Sequence, residues 1–336
     1  MNLKQLAKEL NLSISTVSKA LRDSYEISHA TKQLVLAKAK ELNYQANPFA
    51  SNLRKQKSKT IALVVPEIAN NFFSQAINGI EAIAQDKGYH VLIYLTHEDA
   101  QKEKAIVNIL QNGRVDGIIM SLSHQTKDVS HLQMLHNQHI PLVFFDRAAD
   151  NIKVPKITTN DFQSSYDATQ LLLQKGCKSI AFLSFSDHIS IIQQRMQGFL
   201  SAMQTTKCSS YTNWIVPCGI DNARNYTIVK QLLQQSHRPD GIVASVERLA
   251  ITTYEVCNQL QLHIPKQVKI IGYTNLQTAF LLQPSLSAIT QPAYEMGCEA
   301  ASILFRLIEQ KGVAFIAQET ILNSVIVERN STVSEY

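Results

Sequence analysis

From Thr60 onward, short apolar runs rich in β-branched residues alternate with amphipathic stretches of helical period, and the alternation runs its course twice. In the first series the runs 61–65, 91–95, 117–120 and 142–145 read as strands, separated by helical segments near 72–87, 101–112 and 128–138. The series restarts with strands at 179–184, 214–217, 241–244 and 268–272, divided by helices near 162–175, 189–203, 221–235 and 247–261. Strands joined through helices build parallel sheets covered on both faces, so two successive series predict an α/β core of two doubly wound lobes. Ligands of open α/β sheets bind beyond the carboxyl ends of the strands, and two facing lobes enclose a cleft that hinges on a small molecule. The segments leaving such strand ends are 66–73, Asp146-Arg147, 186–195, 218–221, 245–248 and 273–275. Taken singly, each residue there is as well explained as part of an ordinary loop.

The residues ahead of this core are of another kind. Positions 1–59 hold eleven Lys/Arg against four Asp/Glu, a surplus of seven, so the other 277 residues carry −2 of the net +5. A small basic unit beside a near-neutral large one points to a polyanionic partner for the first alone, although a solvated basic tail has the same charge. Leu3, Leu6, Ala7 and Leu10 share one helical face behind Asn2, a competent N-cap. Asn11 tolerates the left-handed conformation of a sharp turn, Ser13 can cap a second helix over 14–22, and Val35, Ala39 and Leu42 line a third after Ser28. The small all-α domain so formed reads as a helix-turn-helix, whose second helix lies in the major groove. Val17 and Leu21 then face inward, and Ile14, Ser15, Ser18, Lys19 and Arg22 face out. Hydroxyls there meet bases or phosphate, Ile14 a thymine methyl and Lys19 a guanine; the alternative is a purely structural three-helix subdomain.

Asn47-Pro48 begins a further helix of barely two turns through Arg54, inside a linker that also holds Lys55, Lys57 and Lys59. So short a helix is marginal alone and is expected to order only with support from DNA and a second copy of the chain. Leu53 is a candidate wedge for a minor-groove base step, or an ordinary linker leucine.

Cys177, Cys208, Cys218, Cys257 and Cys298 stand far apart and read as reduced thiols. With a polar amphipathic start and no apolar run of membrane-span length, they predict a soluble cytoplasmic protein. No phosphate-loop, dinucleotide-fingerprint or nucleophile-elbow motif occurs. His124, His131, His136 and His139 lack the spacing of a helical zinc site and read as surface residues. No catalytic activity, metal or cofactor is expected. A solute receptor and an enzyme acting in the cleft are the alternatives that the core fold alone leaves open.

In order along the chain, these residues resemble the LacI/GalR family of bacterial repressors from about Leu3 to Ser331. The likeness is carried first by Leu12-Ser13 with Thr16-Val17-Ser18-Lys19-Ala20-Leu21, by Leu42-Asn43-Tyr44 before Asn47-Pro48, and by Val65-Pro66 through Asn70-Asn71-Phe72-Phe73. It continues in Val115-Asp116-Gly117-Ile118-Ile119, Phe145-Asp146-Arg147, Arg195 with Gly198-Phe199, Arg238-Pro239-Asp240-Gly241-Ile242, and Gln291-Pro292 through Met296-Gly297. The resemblance implies a transcriptional repressor that binds a pseudo-palindromic double-stranded DNA operator as a homodimer. It implies a core similar to periplasmic sugar-binding proteins, with a sugar or sugar-derivative effector in the cleft. The DNA-binding set is Lys4, Ile14, Ser15, Thr16, Ser18, Lys19 and Arg22, with Asn47, Ala50 and Leu53 in the linker. The effector-binding set is Phe72, Phe73, Asp146, Arg195, Ile220, Val246, Thr274 and Asn275, with Arg195 the charged anchor.

On this resemblance, 1–46 is the DNA-binding domain, 47–59 the hinge helix and linker, and 60–336 the effector-binding and dimerisation core. The first lobe takes 60–158 and 291–318, the second 159–290 and 319–336. Only seven residues follow Arg329, too few for a coiled coil, so a dimer is expected. The chain departs from the family pattern in four places. Val246-Glu247 stands where many members carry Asn-Asp, Thr274-Asn275 where an acid often follows Gly272-Tyr273, Lys19 for the usual arginine, and Asn11 for the turn glycine.

Overall fold

The structure, a computed structural model, describes residues 2–44, 58–111, 114–204, 214–310 and 317–333, and of His136 only the backbone. It falls into two compact units, 1–58 and 59–336. In the first, helices α1 (Leu3–Glu9), α2 (Ile14–Ala20) and α3 (His29–Glu41) begin at side-chain caps. Asn2 and Gln5 exchange side-chain to backbone hydrogen bonds in a capping box, and Ser13 and Ser28 accept from the backbone N–H groups of Thr16 and Thr31. Asn11 turns the chain between α1 and α2 with a φ of 51°. Leu6, Ala7, Val17, Ala20, Val35 and Ala39 form the small core. Helix α2 stops at Ala20, short of the expected Arg22, and Leu21 is half-buried.

The second unit holds two six-stranded sheets. The first lobe supplies β1 (Thr60–Val65), β2 (His90–Leu95), β3 (Gly117–Met120), β4 (Leu142–Phe145) and β5 (Lys156–Thr159), with helices α4 (Asn71–Asp86), α5 (Ala100–Leu110) and α6 (Ser130–Asn137). The second supplies β6 (Ile180–Ser184), β7 (Ile215–Pro217), β8 (Gly241–Ala244), β9 (Lys269–Tyr273) and β10 (Ser287–Thr290), with α7 (Asp161–Gln174), α8 (Ser190–Gln204), α9 (Asn222–Leu233) and α10 (Glu247–Gln259). The chain then returns to the first lobe for α11 (Ala293–Glu309) and β11 (Glu319–Leu322), and ends on β12 (Val325–Val327) in the second. The sheet orders are β11-β5-β4-β3-β1-β2 and β12-β10-β9-β8-β6-β7. Pairing is parallel throughout except β12 on β10. Central strands such as β1, β3 and β8 are buried along their whole length, as helices on both faces require.

One lobe boundary differs from the sequence reading, which placed 319–336 in the second lobe. Glu319–Leu322 registers with Lys156–Thr159 on the edge of the first sheet, so the last crossover falls after Leu322. Pairing there satisfies backbone groups that β5 would otherwise present at an open edge. The crossovers are tied to one another: Asn160 Oδ1 accepts from Ser324 N at 2.7 Å, Gln291 Nε2 donates to Thr159 Oγ1 at 3.1 Å, and Asn275 Nδ2 to the Gln291 carbonyl at 2.7 Å. Helices α4 and α11 pack backbone to backbone, since a Cβ on Gly297 would lie 2.1 Å from the Ala76 carbonyl oxygen. Among the described residues no helix is long and apolar enough to cross a membrane.

Candidate functional site

On the first unit, the expected DNA-facing residues lie on or beside α2. Lys4, Ile14, Ser15 and Arg22 are exposed, while Thr16, Ser18 and Lys19 are half-buried. Several are engaged at home. Lys19 Nζ pairs with Glu26, Arg22 folds back to donate to the Ser18 carbonyl and hydroxyl at 2.9 and 3.1 Å, and the Thr16 and Ser13 hydroxyls meet at 2.8 Å. Ile14, at the start of the helix, is an apolar side chain left 46% exposed. Asn47, Ala50 and Leu53, with the expected hinge helix, lie outside the described residues.

In the second unit, the strand ends of both lobes meet around a cavity of about 50 Å³. Of the expected set, Phe72, Phe73, Asp146, Arg195, Val246, Thr274 and Asn275 line it. Phe72 and Phe73 start α4 behind the cap of Asn70, whose Oδ1 accepts from Phe72 N at 2.9 Å, and the two rings cross edge to face at 5.2 Å. Arg195 projects from α8 and is 2% exposed; Nε donates to Asp161 at 2.6 Å, Nη1 to the Ser245 carbonyl at 2.7 Å, and the guanidinium lies 3.7 Å from the Tyr273 ring centroid. Its Nη2 is buried without a hydrogen-bond partner. A buried donor left unmet on a residue that lines a cavity asks for an explanation, and a ligand oxygen is one. Asp146 ends β4 at a φ of 60°, a conformation seldom adopted outside glycine. Burial pushes its carboxyl up to about 6 against the opposing pull of Arg147 and Arg195.

Ile220 is the exception. It packs against the second lobe's apolar core away from the cavity, and its carbonyl accepts from Arg248 Nη1 at 2.7 Å, which fixes the loop elsewhere. Thr274 and Asn275 line the cavity but spend their polar atoms internally. The Thr274 hydroxyl donates to Glu247 at 2.6 Å and accepts from Leu276 N, while the Asn275 amide donates to Gln75 and Gln291. Residues outside the expected effector-binding set complete the wall: Asn70, Arg147, Phe185, Glu247, Tyr273 and Gln291 among them. Most sit in the strand-end segments that the topology flagged; Phe185 lies one residue ahead of such a segment, and Gln291, at the crossover before α11, lies in none.

Two histidines correct the sequence reading of them as surface residues. His131 is buried on Glu103, whose carboxylate also accepts from Ser123 and Thr126. His124 reaches across the lobes: Nε2 donates to the Phe185 carbonyl at 3.3 Å, and its own carbonyl accepts from His188 Nε2. Its backbone N–H donates at 2.6 Å to Glu98, which also takes both bonds of Arg147 Nη1. Further ties across the cleft run from Asn71 Nδ2 to Glu247 at 3.0 Å, from Gln75 to Asn275, and from Arg248 to Glu67 at 3.5 Å. Among the described residues no group of three or more His, Cys, Asp or Glu is placed to hold a metal ion.

A basic helix-turn-helix unit encoded ahead of a two-lobed parallel α/β core with a cavity at its strand ends is the make-up of a ligand-responsive DNA-binding regulator. Residues 2–47 match the model of bacterial regulatory proteins of the lacI family, and residues 58–326 that of the periplasmic binding proteins and sugar binding domain of the LacI family. The chain belongs to the LacI family of transcription regulators. It is 27% identical over 333 residues to the HTH-type transcriptional regulator RegA of Clostridium saccharobutylicum, covering 99% of each chain. It is 29% identical over 307 residues to the ribose operon repressor of Haemophilus influenzae, covering 91% of this chain and 92% of that one. In fold it is similar to the lac repressor dimer bound to operator and the anti-inducer ONPF, with a TM-score of 0.85 over 99% of both chains at 19% identity.

Proposed function

We infer that this protein is a cytoplasmic repressor that binds a pseudo-palindromic operator as a homodimer and exchanges operator affinity for effector binding in the interlobe cavity. The observation that carries the reading is Arg195, which lines a cavity where both lobes meet and keeps one buried guanidinium nitrogen, Nη2, without a hydrogen-bond partner. A cavity of about 50 Å³ holds a few waters, and on this reading an effector changes the angle between the lobes as it enters. The ties between lobes are few and polar, which leaves the angle between them responsive to a bound molecule.

On this reading residues 1–46 contact DNA through Lys4, Ile14, Ser15, Thr16, Ser18, Lys19 and Arg22, and the 47–59 segment carries the lobe movement to them with Asn47, Ala50 and Leu53 at the operator centre. The core from 60 binds the effector through Phe72, Phe73, Asp146, Arg195 and Val246, and dimerises. Exposed apolar side chains on both lobes, Leu92 and Ile93 on the first and Phe280 and Leu281 on the second, supply apolar area for a second copy. It is read as a regulator and not an enzyme: the two arginines of the cavity wall are held by Asp161 and Glu98 behind it, an arrangement that positions a ligand rather than a nucleophile and base. Selection of bound sequences from a random duplex pool by the full-length protein, at near-physiological salt, tests the reading. Enrichment of one site with two inverted halves is expected. No enrichment, with or without a small-molecule cell extract, overturns it.

A further inference from the structure

Lys59 is the last residue of the 47–59 segment and the first of the core unit. In the sequence it is one of the cations of a basic linker; in the structure it is held on the core. Its backbone takes a φ of 54°, which a residue with a side chain seldom adopts and which persists only where the surroundings impose it. They impose it here from both sides of the residue. The N–H of Lys59 donates to Asp116 Oδ2 at 3.1 Å, and its carbonyl accepts from His90 N at 3.0 Å. Its ammonium lies 4.2 Å from the centroid of the Tyr89 ring.

The partners are themselves anchored. Tyr89 is 8% exposed, its hydroxyl is hydrogen-bonded to Asp116, and its ring meets that of Phe305 on α11 edge to face at 4.9 Å. Asp116 N donates to the Thr60 carbonyl at 2.8 Å. Lys59, Tyr89 and Asp116 are the residues directly ahead of β1, β2 and β3, which lie side by side in the first sheet, so they tie the starts of three adjacent strands together. Strand β1 is buried along its length, and beyond its far end the chain reaches Asn70, Phe72 and Phe73 on the cavity wall. An ammonium placed over a ring of the core is committed to the core and not extended toward a phosphate.

We propose that Lys59, Tyr89 and Asp116 form a clamp that fixes the direction in which the linker leaves the first lobe, and that Lys59 serves operator binding as a positioning residue and not as a phosphate contact. This step rests on the reading that the 47–59 segment connects the DNA-binding unit to the effector core. A chain fixed at one end before DNA arrives has less freedom to lose on binding, so the clamp favours the operator complex. A movement of the first lobe is also passed into the linker instead of being absorbed at a loose joint.

The test uses the full-length protein, a duplex that it selects from a random pool, and a scrambled duplex of the same length, each titrated over a range of salt. Methionine at position 59 keeps an unbranched side chain and removes the charge. Lys59→Met is expected to weaken operator binding by at least about fivefold, to bind the scrambled duplex as the wild type does, and to leave the slope of log affinity against log salt unchanged. Lys59→Arg, whose guanidinium also stacks on a ring, is expected to restore operator affinity. In a Tyr89→Leu background, where the ring is gone, Lys59→Met is expected to have no further effect. A slope reduced by about one in Lys59→Met marks a lost phosphate contact and overturns the proposal. Unchanged operator affinity, equal losses on both duplexes, or losses that add in the double variant overturn it too. Should Tyr89→Leu fail to fold, Lys59→Met and Lys59→Arg decide between the same outcomes. A wild type that selects no duplex fails the repressor reading itself, a result distinct from all of these, and the proposal falls with it.

Discussion

Replacing Arg195 by methionine isolates what the buried pair beneath the cavity contributes. The guanidinium is 2% exposed and holds Asp161 at 2.6 Å and the Ser245 carbonyl at 2.7 Å. Methionine fills much of the same volume but leaves Asp161 buried, with the Thr159 hydroxyl at 3.1 Å still on its other oxygen. Breaking a buried ion pair from one side costs about 3–5 kcal/mol. In a unit of this size each kcal/mol lowers Tm by roughly 2–3 °C, so a fall of about 6–15 °C is expected. The loss depends on pH. Burial already holds the Asp161 carboxyl above its ordinary value of 3.8, against the pull of Arg195, and removing that pull raises it further. A carboxyl raised in the folded state gives its full stability below the unfolded value and loses it as pH rises through the folded one. The deficit of Arg195→Met against wild type is therefore small near pH 4.5 and large near pH 8, and Asp161→Asn in the same chain recovers much of it. Urea unfolding of the full-length protein, followed through the fluorescence of Trp214, the one tryptophan of the sequence, measures this. The same deficit at both pH values, or a double variant as unstable as the sum of its parts, refutes the reasoning.

Other outcomes follow from the same geometry. Lys19→Ala should weaken operator binding by about 1–3 kcal/mol, whereas Glu26→Gln, which frees Lys19 from its pair, should strengthen it by no more than about 1 kcal/mol; titration of both against the selected site decides this. Burial holds the His124 imidazole below its ordinary 6.5, with His188 and Arg147 adding to the effect and Glu98 opposing it. Its stability contribution is thus present above 6.5 and lost as pH falls through the folded value, so His124→Gln should flatten the stability curve on the acid side of neutrality. Gly297→Ala places a methyl against the Ala76 carbonyl and should cost about 1–3 kcal/mol in thermal unfolding.

Periodicity made the strands and helices of both lobes legible, because each is a local property of the chain. The pieces it passed over, β5, β10, β11, β12 and α11, cluster where the chain crosses between lobes. Those strands are three or four residues long and are fixed by partners far away in sequence, as Glu319 is by Lys156. The rule that ligands lie beyond strand ends flagged the right segments, and the family resemblance picked out of them Phe72, Phe73, Asp146 and Arg195, which line the cavity. The resemblance also brought in Ile220, since nothing local shows that Arg248 holds that carbonyl. The burial of His131 depends on Glu103, 28 residues away, and that of His124 on a contact from the other lobe, so neither had a local signal. Glu247 was visible only as a departure from the family pattern; its tie across the cleft to Asn71, 176 residues away, had no local signal.

The most direct test of control by the cavity is the ratio of operator affinities with and without the small-molecule extract, measured for wild type and for Asp146→Asn. The account predicts a ratio of at least about tenfold in the wild type, equivalent to roughly 1.4 kcal/mol of coupling, falling toward one in the variant. An unaltered ratio in Asp146→Asn would place the control of DNA binding outside this cavity and contradict the account.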